Sequence, residues 1–246
     1  MNRRTMLLAA LLPLMMAGIA LAQANSVYGF ISNANNPHNF TNEGFSGGEI
    51  CKPCHTPHNS IAQDISDRLW AHTLTNATYV THDGSADAHD YLDHGSLLCM
   101  SCHDGTVALG DYVGSTNMGD KISSGANLGG ANGDLTNDHP IGKGGFYSPT
   151  AVYLKPMNDA VIHGQPGKTV GKRDTAKETD ALPLVNMVVD DGSGGTVTKY
   201  AVGCMTCHTA HGTRLVRDGT TTQAPYPALL RMSNNGSQLC LTCHNK

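Results

Sequence analysis

The sequence predicts a mostly irregular fold, with short helices at four recurring motifs, a few small strands, and a core that the chain's own side chains do not complete. Three observations lead there. The 246 residues include 28 Gly but only 13 aromatic residues, too few for a chain of this size to build an ordinary apolar core. Long tracts of Asn, Asp, Ser and Gly carry little apolar periodicity. All eight Cys fall in four copies of Cys-x-x-Cys-His: Cys51 to His55, Cys99 to His103, Cys204 to His208 and Cys240 to His244.

The first 24 residues read as a secretory signal peptide. Arg3 and Arg4 precede an apolar stretch from Met6 to Leu21, which ends at the small-residue site Ala22-Gln23-Ala24. The stretch is short for a membrane span and no charged stop-transfer cluster follows it, so the mature chain is expected to begin at Asn25 and to cross no membrane. Residues 25–246 are then one domain made of two similar units, about 25–112 and 136–246. An exported chain that is poor in core-forming residues is disordered, stapled, or wrapped around a cofactor.

The cysteine spacing selects the last of these. In Cys-x-x-Cys-His the two thiols add to the vinyl groups of one haem and the His turns back to its iron as proximal ligand. A single Cys-x-x-Cys also serves zinc or thiol exchange, but neither needs His at the fifth position four times over. Four covalently bound haem c groups are therefore expected on Cys51, Cys54, Cys99, Cys102, Cys204, Cys207, Cys240 and Cys243, with His55, His103, His208 and His244 as proximal ligands. Four porphyrins, stacked, would supply the missing core.

Nine His remain for four distal positions. Met is the usual competitor, but Met100 and Met205 lie inside attachment motifs and Met118, Met157, Met187 and Met232 have no distinctive setting, which favours two His on every iron. The motifs alternate in type. The first and third continue as His55-Thr56-Pro57-His58 and His208-Thr209-Ala210-His211; the second and fourth follow Gly95-Ser96-Leu97-Leu98 and Gly236-Ser237-Gln238-Leu239. Residues three apart on a helical turn share a face, so His58 and His211 are read as reaching a neighbouring haem, the second and the fourth respectively. For the first and third haems the candidates are His38, His72 and His139, three residues for two positions. His72 follows Trp70, which could pack on a porphyrin, and Asp138 could orient His139. His82, His89, His94 and His163 lie in polar stretches and read as surface residues or propionate partners.

These landmarks occur in order along the mature chain: Cys-Lys-Pro-Cys-His-Thr-Pro-His-Asn at 51–59, Leu69-Trp70-Ala71-His72, Cys-Met-Ser-Cys-His-Asp-Gly-Thr at 99–106, Asp138-His139-Pro140-Ile141-Gly142 and the terminal Leu-Cys-Leu-Thr-Cys-His-Asn-Lys. The set resembles the doubled-motif multihaem cytochromes, and especially the tetrahaem OmcE-type subunits of extracellular cytochrome nanowires in metal-reducing bacteria. The resemblance implies haems in alternating stacked and T-shaped pairs, a continuous haem chain, and a homopolymer in which a His of one subunit ligates a haem of the next, with His38 the first candidate for that donated ligand. It also implies a secreted, extracellular or cell-surface protein that passes electrons between redox partner proteins and external acceptors such as metal oxides, rather than an enzyme.

Two further readings stay open beside the filament: a soluble periplasmic or secreted electron shuttle, and a multihaem reductase, which would need an iron with a vacant position. The formal charge of −4 becomes −6 once Arg3 and Arg4 leave with the signal peptide, and no basic patch points to nucleic acid. Apolar β-branched runs on either side of Asp190-Asp191-Gly192-Ser193-Gly194-Gly195 predict a hairpin, whose acidic turn is a plain turn sooner than a calcium site.

Overall fold

The computed structural model describes residues 31–61, 69–82, 86–87, 91–123, 125–129, 133–148, 150–162, 165–170, 182–212 and 227–245. The expected signal peptide, His89 and His163 lie outside them.

Three of the four motifs end in short helices: α1 (His94–His103), α2 (Cys204–Cys207) and α3 (Gln238–Cys243). The first motif forms a single turn, in which the His55 and Cys54 amides both donate to Cys51 O. Only α1 has a strong start. Its Asp93 N-cap accepts from the Ser96 amide at 3.0 Å and from Ser96 Oγ at 2.5 Å, satisfying a donor that helix geometry leaves free. Ser96 Oγ also accepts the Cys204 amide at 2.9 Å, so one hydroxyl ties the start of α1 to the start of α2. The approach is close because Gly203 has no side chain; a Cβ there would lie 2.5 Å from Asp93 Oδ1.

Strands are more extensive than the sequence suggests. β1 (Tyr79–Val80) pairs antiparallel with β2 (Ala86–Asp87). β3 (Met157–Ile162), β4 (Gln165–Val170) and β5 (Leu182–Pro183) form a three-stranded antiparallel sheet in a region where no motif announces one. β6 (Val185–Asp190) and β7 (Thr196–Ala201) make the hairpin the Gly-rich turn predicts, in register from Val185 opposite Ala201 to Asp190 opposite Thr196. The turn is held by Asp191 Oδ1, which accepts from the Ser193 and Gly195 amides.

Among the described residues the apolar core is divided. The largest cluster is Tyr79, Tyr91, Leu92, Met100 and Leu135, behind the second motif. Tyr147, Val170, Leu184 and Val202 pack with Cys243 of the fourth motif, and Trp70 and Leu98 pack with Cys54 of the first. A third small group joins Phe45, Ala71 and Tyr112. Each is too small to hold a domain together alone.

The segment at 140–145 links the two halves through backbone contacts. Gly142 donates its amide to Val202 O at 2.9 Å, and a Cβ on it would meet Tyr91 O at 2.0 Å. Its φ of +59° also disfavours any other residue. Gly142→Ala is therefore expected to destabilise the protein by about 2–4 kcal/mol, measured by denaturant unfolding. An unchanged midpoint would show that this crossing carries no load.

Candidate metal centre

In all four motifs one helical turn puts both thiols and the imidazole on the same side. The His amide donates to the first Cys carbonyl in three of them (His55 to Cys51 at 2.8 Å, His208 to Cys204 at 3.0 Å, His244 to Cys240 at 2.9 Å), and in the second the motif is the last turn of α1. Chain arriving from elsewhere then clamps the turn. Thr56 donates to Leu69 O while Ala71 donates to Cys54 O; Thr209 donates to Leu229 O while Arg231 donates to Cys207 O. Around the fourth motif, Asn245 donates to Tyr153 O and Lys155 to Cys243 O. The same two-bond bridge therefore brackets three of the motif histidines, placing Trp70, Leu230 and Leu154 opposite His55, His208 and His244. Leu69 and Leu229 share a left-handed backbone, with φ of 51° and 56°. Arg231 Nε and Lys155 Nζ add side-chain bonds to Met205 O and Leu241 O, carbonyls that short helices leave unpaired.

The second motif is held differently. Asp104, buried and directly after His103, accepts from Thr75 Oγ1, Tyr79 OH and both the amide and hydroxyl of Thr106. The His103 ring donates from Nδ1 to Ala126 O at 2.7 Å, and the His208 ring likewise to Ala228 O at 2.7 Å. A neutral imidazole that donates from Nδ1 presents a bare Nε2 lone pair, the form that ligates metal.

Three motif rings face a second imidazole brought from far along the chain. His55 lies 6.1 Å from His211, His103 lies 6.0 Å from His38, and His244 lies 6.4 Å from His139, measured between ring centres. His38 and His139 also donate from Nδ1 to carbonyls, Ala210 O at 2.8 Å and Pro140 O at 2.9 Å. Removal from water, followed by the facing His103, keeps the His38 pKa below the usual imidazole value despite the Ala210 bond, favouring the neutral form.

These distances fit a haem iron. A metal with nitrogens about 2 Å to either side, and ring centres about 1 Å behind them, spaces two imidazoles about 6 Å apart. A haem asks the protein for two axial ligands only, and among the described residues no group of three or more His, Cys, Asp or Glu forms a site for a bare ion. The residues that would hold four such groups are the eight motif Cys and their His, with His211, His38 and His139 opposite the first, second and fourth.

Thiol exchange favours a depressed pKa, and of the motif thiols that shift only Cys204 moves down. Burial, helped by neighbouring thiols, raises Cys54, Cys207 and Cys243 to about 11; burial, with Cys54 and Asp104, raises Cys102 to about 12. Cys99 donates to Cys204, which pushes Cys99 well up and Cys204 down. The thiols that influence one another follow motif order: Cys54 with Cys102, Cys99 with Cys204, Cys207 with Cys240 and Cys243.

The pairing differs from the sequence reading at His211, which meets the first motif rather than the fourth, at His38, which meets the second rather than the first or third, and at His139, which meets the fourth rather than the first or third. The helical-face argument assumed that the helix runs past the motif. It stops there instead: His208 is already extended (φ −111°, ψ 157°), so His211 leaves on a turn. His58 is exposed, with no second imidazole at that spacing among the described residues. His72 is buried at 1% exposure, its Nδ1 and Nε2 lying 2.8 and 3.1 Å from Thr73 O and Ala108 O. Among the described residues, His208 faces no second imidazole at about 6 Å. His94 and His82 are exposed.

No helix among the described residues is long and apolar enough to cross a membrane. No family model, no curated protein and no solved structure matches the chain.

In chain purified with free thiols, mild oxidation should join Cys99 to Cys204 faster than it joins any other two motifs. Mass mapping of non-reduced peptides checks this; a different dominant inter-motif link would contradict the α1–α2 packing.

Proposed function

We propose that the chain is a tetrahaem c-type cytochrome that carries electrons outside the cell and assembles with copies of itself into a filament with a continuous haem chain. The observation that carries the reading is the set of three imidazole pairs at 6.0, 6.1 and 6.4 Å, each joining a motif His to a His remote in sequence. No substrate pocket is required of such a protein. When bound, each haem supplies a one-electron couple; the chain holds the irons by their axial rings, buries the porphyrins and orders them motif by motif.

His38 becomes a ligand within its own chain on this reading, not the one donated to a neighbour. Among the described residues the unmatched motif ring is His208, and of the exposed His58, His82 and His94 only His58 adjoins an attachment motif on its C-terminal side, so His58 of one copy ligating the third haem of the next is the proposed subunit junction. The physiological donors are redox partner proteins and the acceptors are external, such as metal oxides. The competing soluble shuttle has one observation in its favour: all three pairs form within a single chain.

Exported protein should carry four thioether-linked haems by intact mass. His38→Ala, His139→Ala and His211→Ala should each leave all four attached and turn one of them high-spin in the ferric electron paramagnetic resonance spectrum, whereas His94→Ala should change nothing. Electron cryo-microscopy of the secreted protein should show filaments, lost in His58→Ala. Discrete particles from the wild type would leave the shuttle, and a high-spin haem in the wild type would favour a reductase.

A further inference from the structure

Among the described residues three buried side-chain polar atoms have no hydrogen-bond partner: Trp70 Nε1, Asn127 Oδ1 and Thr209 Oγ1. An unpaired polar atom in an interior is costly, so native chains rarely leave one without something to meet it. All three adjoin motif histidines. The Trp70 ring stands edge-on to His55, with centres 5.8 Å apart at 87°. Asn127 lies between Ala126, whose carbonyl accepts from the His103 ring, and Leu128, whose amide donates to His103 O. Thr209 directly follows His208.

The repeated clamp sharpens the point. Trp70, Leu230 and Leu154 hold equivalent places opposite motif histidines. Leucine suffices to pack at two of them, whereas the first carries a side chain of similar burial duty plus an N–H. Trp70 is 8% exposed, within the apolar group of Leu98, Leu74 and Cys54, where none of the described residues accepts that proton. The threonines differ in the same sense. Thr56 Oγ1 of the first motif donates to His58 O at 2.7 Å, but the matching Thr209 hydroxyl, also 8% exposed, has no partner.

We infer that Trp70 Nε1–H and Thr209 Oγ1–H are donors to carboxylates of the bound prosthetic groups, and so act as positioning residues that set reduction potential. The inference rests on the tetrahaem reading. A haem carries its anionic propionates at its edge, and an N–H or O–H donated to a carboxylate makes a strong, charge-assisted bond in a dry site. Such a bond offsets negative charge near the iron. Without it the ferric state gains, and the potential falls. Asn127 can present its amide nitrogen to a third carboxylate by turning end for end.

The test uses the exported, haem-loaded protein with Trp70→Phe, Thr209→Val and Thr209→Ser. Trp70→Phe and Thr209→Val should keep four haems by intact mass, but each should lower one couple enough to change the reduced-to-oxidised ratio at fixed potential about threefold or more. Each should also shift a carboxylate band in the infrared redox difference spectrum, and Thr209→Ser, which keeps the hydroxyl, should match the wild type. Titrations and carboxylate bands of both variants that overlay the wild type would overturn the inference, leaving buried water as the partner. If Trp70→Phe fails to load, the Thr209→Val and Thr209→Ser comparison decides by the same two readouts. A wild type without haem mass would defeat the tetrahaem reading first, and this inference with it.

Discussion

The interaction on which the rest depends is the single hydrogen bond from each motif His amide to the carbonyl of the first Cys. It closes one helical turn and brings two thiols and an imidazole to the same side of the backbone, so five residues define a complete attachment point. A turn this short has no stability of its own. The protein supplies it from outside, with the two-bond bridge around the first, third and fourth motifs and the Asp93 cap on the helix of the second. The irregular appearance of the chain follows from this arrangement. Its regular elements are short because each serves one attachment point, and long connections bring remote segments back as clamps.

The same geometry interlocks the halves. The His55–His211 pair takes one ring from each, His38 lies on the third motif's segment while facing the second motif's ring, and Ser96 joins the starts of α1 and α2. Each half repeats the motif alternation in sequence, and His38–His103 and His139–His244 form within one half while His55–His211 crosses between them. The four small apolar clusters fit that picture. Three of them include a motif residue, Met100, Cys243 or Cys54, and none joins the whole chain into one core.

The motif turns and the 185–201 hairpin were legible because both are local: a fixed Cys-to-His spacing, and a Gly-rich turn between β-branched runs. The pairing of histidines was not, because it depends on where a helix ends. Nothing in His208-Thr209-Ala210-His211 announces that the backbone turns extended at His208, and one residue's ψ decides which ring His211 meets. His72 is a different case. Its neighbourhood, Leu69-Trp70-Ala71, was recognised as distinctive, but the distinction belongs to the bridge across His55, and His72 sets its ring nitrogens against backbone carbonyls. The sheet at 157–183 left no sequence signal because its strands carry Asn, Asp, Gly and Lys where a period-two apolar pattern would reveal them.

Motif order gives the proposed electron path its direction. Cys54 packs with Leu98 of the second motif's helix and Ser96 of that helix bonds the Cys204 amide of the third, so the first three motifs adjoin in covalent order. A relay built this way needs no long-range folding search to order its cofactors, because each attachment point is local and only the axial partners come from a distance. The cost falls on the pairs. Among the described residues three motif rings are matched within the chain and one is not, which connects the stoichiometry of histidines to the proposed assembly. In a self-contained carrier the exposed His58 and the unmatched His208 would be two separate imperfections. In a polymer they are two halves of one bond, and the third haem is where one subunit's electron path would be tied to the next.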